Sequence, residues 1–199
     1  MHSEESRWSS EQGFGFVETL ISIAVLTAVS VGVAQLFAVA ALANHNAEAN
    51  TSTAVLAIDK IEQLRALPWG FESLADGELG LPVSDSTTDV SVFPQASGGP
   101  GLLPSPSGTL EGNVPFYVDY LDGNGEWLGT GGSPTPGTVY IRRWAVDRLP
   151  ASPTDTLVLR VLATTLRQEL QRAAAGATGP RGKLPADSWL VTVKTRKAV

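Results

Sequence analysis

GFGFVETLISIAVLTAVSVGVAQLFAVAALAN, residues Gly13 to Asn44 of a 199-residue chain, decides how the rest of the sequence is read. It joins a polar stretch to a long apolar one, and from Thr19 to Ala47 no residue carries a charge when His45 is neutral. About 20 mostly apolar residues cross a bilayer core as a helix, so this run is long enough to span once. Glu18 stands at its edge. A carboxylate near a bilayer centre costs about 2.5–3.5 kcal/mol on insertion scales and marks a functional position by default. The plain alternative is a stray acid on an ordinary single-pass anchor.

Toward the C-terminus the helical pattern continues. Ala43 to Ala66 reads ANHNAEANTSTAVLAIDKIEQLRA, rich in helix formers. Val55, Ile58, Ile61, Leu64 and Leu67, spaced three apart, predict an apolar stripe opposed by Asp59, Lys60, Glu62, Gln63 and Arg65. Pro68 ends the helix at or before Leu67, because the residue ahead of a proline is pushed out of helical geometry. From Phe14 to Ala66 such a helix would be about 80 Å long at 1.5 Å per residue. Gly32 costs about 1 kcal/mol against alanine in a helix; it reads either as a weak point in a stretched helix or as a site of close packing.

Gly13, Phe14 and Glu18 form GF-x-x-x-E at the head of this helix, a junction that resembles the class III signal of type IV prepilins. The resemblance implies that prepilin peptidase cuts between Gly13 and Phe14 and methylates the new amino group of Phe14. Glu18 then falls at the fifth mature position, where the family has an acid. DKIEQLRALPW at Asp59–Trp69 resembles the end of the long helix in minor pilins and pseudopilins. YIRRWAV, two further strands and the basic end RKAV resemble the sheet of minor pilins of the pilus-modification type. The implied organisation is a leader at 1–13 and a helix at 14–67, followed by a β-rich head at 68–199. The 14–43 half of that helix lies in the membrane or filament core, and the 44–67 half is amphipathic. The implied partners are prepilin peptidase, other pilin or pseudopilin subunits, an inner-membrane assembly platform and membrane lipid. The implied location is the inner membrane with an extracytoplasmic head, then a pilus or pseudopilus fibre. An amine at Phe14 or an acid at Glu18 left unpaired in a low-dielectric bundle costs several kcal/mol, so Glu18 is the expected register residue. Type IV pili, type II secretion and DNA-uptake systems share this helix, so the resemblance is to the class.

Composition narrows the other readings. The net charge is −6, to which the leader, with Glu4, Glu5, Glu11 and Arg7, contributes −2. A mildly acidic chain has no general electrostatic reason to bind nucleic acid. There is no cysteine, and the histidines are His2 and His45, which leaves no disulfide framework, no thiolate metal site and no histidine-based triad or multi-histidine zinc site in the head. No phosphate loop, Gly-x-Ser-x-Gly elbow or HExxH is present. The chain is therefore read as structural rather than enzymatic, and no cofactor is expected. A membrane-anchored hydrolase working through scattered carboxylates is the disfavoured reading. A single-pass, non-polymerising binding or adhesive module is the stronger alternative. Arg7 is the only basic residue ahead of Lys60, so topology rests on the resemblance more than on the positive-inside rule. A secretory signal peptide would also combine a polar leader and an apolar core, with small residues near Ala38–Ala41. The run is longer than such a core, and that reading gives Gly13, Phe14 and Glu18 no role.

The head, about 130 residues, is enough for one modest domain. From Gly70 to Val114 periodicity is poor, with short strands expected at Leu79–Val83 and Thr88–Phe93 and an exposed Gly/Pro/Ser loop at Gln95–Asn113. By the resemblance, this zone is the surface-displayed part. Pro115–Leu121 and Thr138–Val146 read as an antiparallel pair around a long loop, Thr156–Thr164 as a central strand buried on both faces, and Trp189–Thr195 as the last strand. Leu166–Ala175 reads as a short helix or an extension of the strand before it. Trp144 is expected against the long helix, the alternative being an exposed ligand-stacking ring. The expected fold is α+β: a long pilin-like N-terminal helix packed on a C-terminal antiparallel sheet of about four strands.

In DGNGE, Asp122, Asn124 and Glu126 alternate oxygen donors as calcium loops do. Trp127 stands where the EF-hand pattern needs its glycine, and Asx-Gly pairs are common turn formers, so a turn is preferred and no metal is expected. Asp119, Asp147 and Asp155 read as solvated acids, and Lys194, Arg196 and Lys197 as a solvated strand end.

Overall fold

A computed structural model of the chain describes residues 15–67, 86, 88–98, 101–176, 182 and 184–196. The expected processing residues Gly13 and Phe14, the strand expected at Leu79–Val83 and Lys197 lie outside the described residues. The apolar run folds as part of one uninterrupted helix, α1 (Phe16–Ala66). The chain divides within it into two units, Met1–His45 and Asn46–Val199.

In the first unit, α1 exposes its large side chains on all sides, among them Phe16, Ile23, Leu26, Val33, Leu36 and Phe37. The hydroxyls of Thr19, Thr27 and Ser30 donate back to the carbonyls of Phe16, Ile23 and Leu26, so their polarity is satisfied inside the helix. With a mean hydropathy of 2.2 over its most apolar window, this helix is long and apolar enough to cross a membrane.

In the second unit, the helix face that packs is not the expected one. Thr53, Ala57, Lys60, Ile61, Gln63 and Leu64 are buried, together with Leu67 beyond the helix end, whereas Val55 and Ile58 are exposed. At about 100° per residue, a three-residue step falls about 60° short of a full turn. The run Val55–Ile58–Ile61–Leu64–Leu67 therefore winds around the helix and cannot lie on one face. The spacing that packs is Thr53, Ala57, Lys60, Leu64 and Leu67, and it puts Lys60, expected in water, into the interior.

The helix closes with a tightened turn, Leu67 N–H donating to Leu64 C=O at 3.3 Å. Lys194 Nζ donates to the carbonyls of Arg65, at 2.7 Å, and Leu67. This satisfies acceptors that a helix end leaves open and sets a cation on the negative end of the helix dipole. It also corrects the reading of Lys194 as a solvated strand end. Lys194→Met is expected to lower stability by about 1 kcal/mol, read as a reduced urea midpoint of the full chain in detergent, with hydrogen exchange accelerated first at 63–67.

Five antiparallel strands form the sheet, in the order β4-β3-β5-β6-β7: β3 (Val118–Leu121), β4 (Trp127–Gly129), β5 (Tyr140–Leu149), β6 (Ser152–Thr165) and β7 (Ser188–Thr195). A small pair, β1 (Thr88–Asp89) and β2 (Ala96–Ser97), stands apart from it. The fifth strand of the sheet, β4, lies inside the segment expected to be a loop. Thr88–Phe93 yields only two strand residues because Asp89 Oδ1 takes the backbone N–H and hydroxyl of Ser91 and turns the chain. Leu166–Ala174 is a helix, α2, its first turn capped by Thr165, whose Oγ1 accepts from Gln168 N–H at 3.3 Å.

Alternation along the strands sorts the core. Trp144 and Val146 of β5 and Leu157, Leu159, Val161 and Ala163 of β6 meet Ala57, Ile61, Leu64 and Leu67 from the helix. The opposite face holds Ala145 and Leu162, covered by Leu110 and flanked by Trp189. Trp144 is fully buried against the helix, as expected. Gly125 is required where it stands: its φ is +84°, and an added Cβ would come within 2.9 Å of Leu56 on α1.

Candidate functional site

Polar residues converge between α1 and the sheet. Asp119 of β3 and Arg142 of β5 are direct cross-strand partners, and both are essentially without solvent contact. Arg142 donates from Nε (3.1 Å) and Nη2 (2.8 Å) to Asp119 Oδ2. Its Nη1 donates to Asp59 Oδ2 (2.7 Å) and to the Leu56 carbonyl (3.2 Å), and Nη2 also reaches Thr88 Oγ1 (3.1 Å). All five guanidinium N–H groups are thereby used, a geometry that only arginine provides.

Lys60 enters from the helix. Its Nζ donates to the Ser86 carbonyl at 2.7 Å and to Thr88 Oγ1 at 3.3 Å, and lies 3.6 Å from Asp119 Oδ2. It also sits 3.7 Å above the Trp144 ring, where the negative face of the π system attracts a cation. Trp144 Nε1 donates to Ser86 Oγ at 2.7 Å. Thr88 donates to Asp119 Oδ2 at 2.8 Å, and Trp127 Nε1 to Oδ1 at 3.2 Å. Helix, β1, β3, β4 and β5 are thus tied together through one carboxylate.

The electrostatics follow from burial. Removal from water pulls the Lys60 amine down from 10.5 to about 7, against the attraction of Asp119 and with the repulsion of Arg142. Burial pushes the Asp119 carboxyl up, but the charges of Lys60 and Arg142 and the bonds from Arg142 and Thr88 outweigh it, and the group stays below its ordinary value. An ionised carboxylate of this kind, buried and held by four hydrogen bonds, organises structure and is a weak base and nucleophile. The arrangement is a clamp.

The residues singled out in the sequence fall elsewhere. Glu18 lies exposed in the first turn of α1, and the Gly13–Phe14 bond is outside the described residues. Asp122 Oδ1 accepts the backbone N–H groups of Asn124 and Glu126, each at 2.8 Å, so the DGNGE segment is an Asx-type turn leading into β4. Among the described residues no three His, Cys, Asp or Glu side chains gather as metal ligands. Asp147 pairs with Arg160 at the half-exposed surface, as a solvated acid should, and Asp155 is exposed. Asp119 contradicts the solvated reading.

A signal for the clamp was present in YIRRWAV. Adjacent strand residues face opposite sides, so Arg142 and Arg143 cannot both point away from a helix-covered face. Arg143 takes the other side, where it bonds Asn113 at 2.7 Å and Glu169 of α2 at 3.2 Å.

No family model, no curated protein and no solved structure matches the chain. What is defined is an α+β chain with one apolar helix able to cross a membrane, whose C-terminal part is clamped on a five-stranded antiparallel sheet.

Proposed function

We infer that the chain is a structural subunit, a minor pilin or pseudopilin, of a type IV pilus or a related type II secretion-like filament. Prepilin peptidase cuts after Gly13, Phe14 becomes the methylated N-terminus, and the subunit leaves the inner membrane by packing its helix among those of its neighbours. One observation carries this reading: a single helix is apolar and exposed through its first part, with Glu18 in its first turn, and is built into a helix-on-sheet head in its second. A plain anchor needs only about 20 residues and has no use for an acid at the start or for continuing unbroken into the core of the head.

The deciding experiment is mass spectrometry of the mature N-terminus after expression with and without a prepilin peptidase. A peptidase-dependent start at methylated Phe14 is the expected result. An intact leader would make the chain a single-pass anchored module, and a cut near Ala41 would make the head a secreted domain.

A further inference from the structure

Two cations of the clamp, Lys60 and Arg142, share one fully buried carboxylate, Asp119. The other acid that reaches the cluster, Asp59, has a half-exposed side chain and bonds Arg142 and Gln63. Among the described residues no further titratable group faces Lys60: α1 offers Asp59, β3 Asp119 and β5 Arg142, while Ser86, Thr88 and Trp144 line the rest of the shell. Inside the buried shell Lys60 and Arg142 thus face a single carboxylate, while Asp59 balances Arg142 from the half-exposed edge, and arginine does not release its proton in proteins. Any proton shed must leave from Lys60.

The geometry accommodates that loss. Lys60 Nζ makes two hydrogen bonds, to the Ser86 carbonyl and Thr88 Oγ1. A neutral amine has two N–H groups and can keep both. The third ammonium proton serves the longer contact to Asp119, which Arg142 already neutralises at 2.8 Å, and the attraction to the Trp144 ring face.

We propose that Lys60 is a proton-operated latch of the head: proton release tightens the join between α1, Ser86, Thr88 and the sheet, and proton uptake loosens it. The direction follows from linkage. Unfolded, the amine titrates at its ordinary 10.5; folded, burial brings it to about 7. Across that interval the unfolded chain holds a proton that the native head lacks, so stability rises with pH between the two values and reaches its lower plateau below about 7. The latch acts inside the head and stands whether or not the chain assembles into fibres.

The sequence makes the effect readable. There is no cysteine, and the two histidines, His2 and His45, lie outside the Asn46–Val199 unit. Among the described residues Lys194 is the other lowered amine, through burial and the nearby Arg65, and serves as the control.

The test is urea unfolding of the full chain in detergent micelles from pH 6.5 to 9, followed by tryptophan fluorescence. The unfolding constant of the wild type should fall with pH, approaching about tenfold per pH unit above the Lys60 titration. Lys60→Met should lose that slope and Lys194→Met should keep it. Carbon NMR of the lysine side chains in the unmutated chain gives a reading independent of any variant's folding: one of the four lysines should titrate near neutrality. A slope retained in Lys60→Met, or four lysines all titrating near 10, would overturn the proposal.

Discussion

Asp119→Ala is expected to destabilise the head by about 3–5 kcal/mol, the cost of removing one partner from a buried ion pair. Among the described residues, the carboxylate removed is the one fully buried acid facing Lys60 and Arg142, and it accepts from Thr88, Trp127 and both the Nε and Nη2 of Arg142. The alanine would strip the Arg142 guanidinium of its buried counter-ion, leave the Lys60 amine beside it to shed its proton, and orphan the Trp127 indole N–H and the Thr88 hydroxyl. A typical domain holds only about 5–15 kcal/mol in total, so the urea midpoint of the full chain in detergent should collapse or the head should fail to fold. A triple replacement, Lys60→Met with Asp119→Leu and Arg142→Met, separates the cause. Buried ion groups exchanged together for apolar ones of similar volume are often neutral, so the triple variant should recover most of the loss. A drop below about 1 kcal/mol for Asp119→Ala, the range of exposed pairs, would mean that water reaches the site and that the clamp does not hold.

The long helix, its end at Ala66 and the strands β5, β6 and β7 were legible because each carries its own signal: an apolar run, a proline just beyond it in sequence, or alternation over many residues. β4 was not, since Trp127–Gly129 is too short to show a period and exists through pairing with β3. The clamp was hidden for a different reason. One-dimensional reading equates charge with exposure, which put Lys60 on the water face and Asp119 on the surface. Neither can be placed without knowing that β3 lies opposite β5 in the register Asp119↔Arg142. The phase of the helix also depended on a three-residue spacing that drifts around the cylinder. The paired arginines of β5 do hold a signal, since neighbours on a strand face opposite sides, but strand alternation alone does not say which of the two goes inside.

If the chain is the filament subunit proposed above, Glu18→Ala is expected to impair fibre assembly while leaving membrane insertion intact. Removing a carboxylate from the start of an apolar helix makes the segment easier to insert, so fractionation should find the variant in the membrane at wild-type levels. Assembly should respond in the opposite sense. Phe16, Val17, Leu20 and Ile21 around Glu18 are apolar and exposed, so in a bundle of such helices the acid has water on no side once neighbours pack. An amine at the processed Phe14 of a neighbour is then the group that can compensate it. Deleting the acid strands that amine at several kcal/mol for each subunit added, on the order of 10²–10³-fold in the assembly constant. Electron microscopy and sheared-fibre yields should therefore show few or no filaments. Glu18→Gln should fail as well, because an amide fills the space and hydrogen-bonds but cannot neutralise a charge, whereas a merely steric role would let it pass. Normal fibres from either variant would remove Glu18 from assembly and favour the anchored, non-polymerising module.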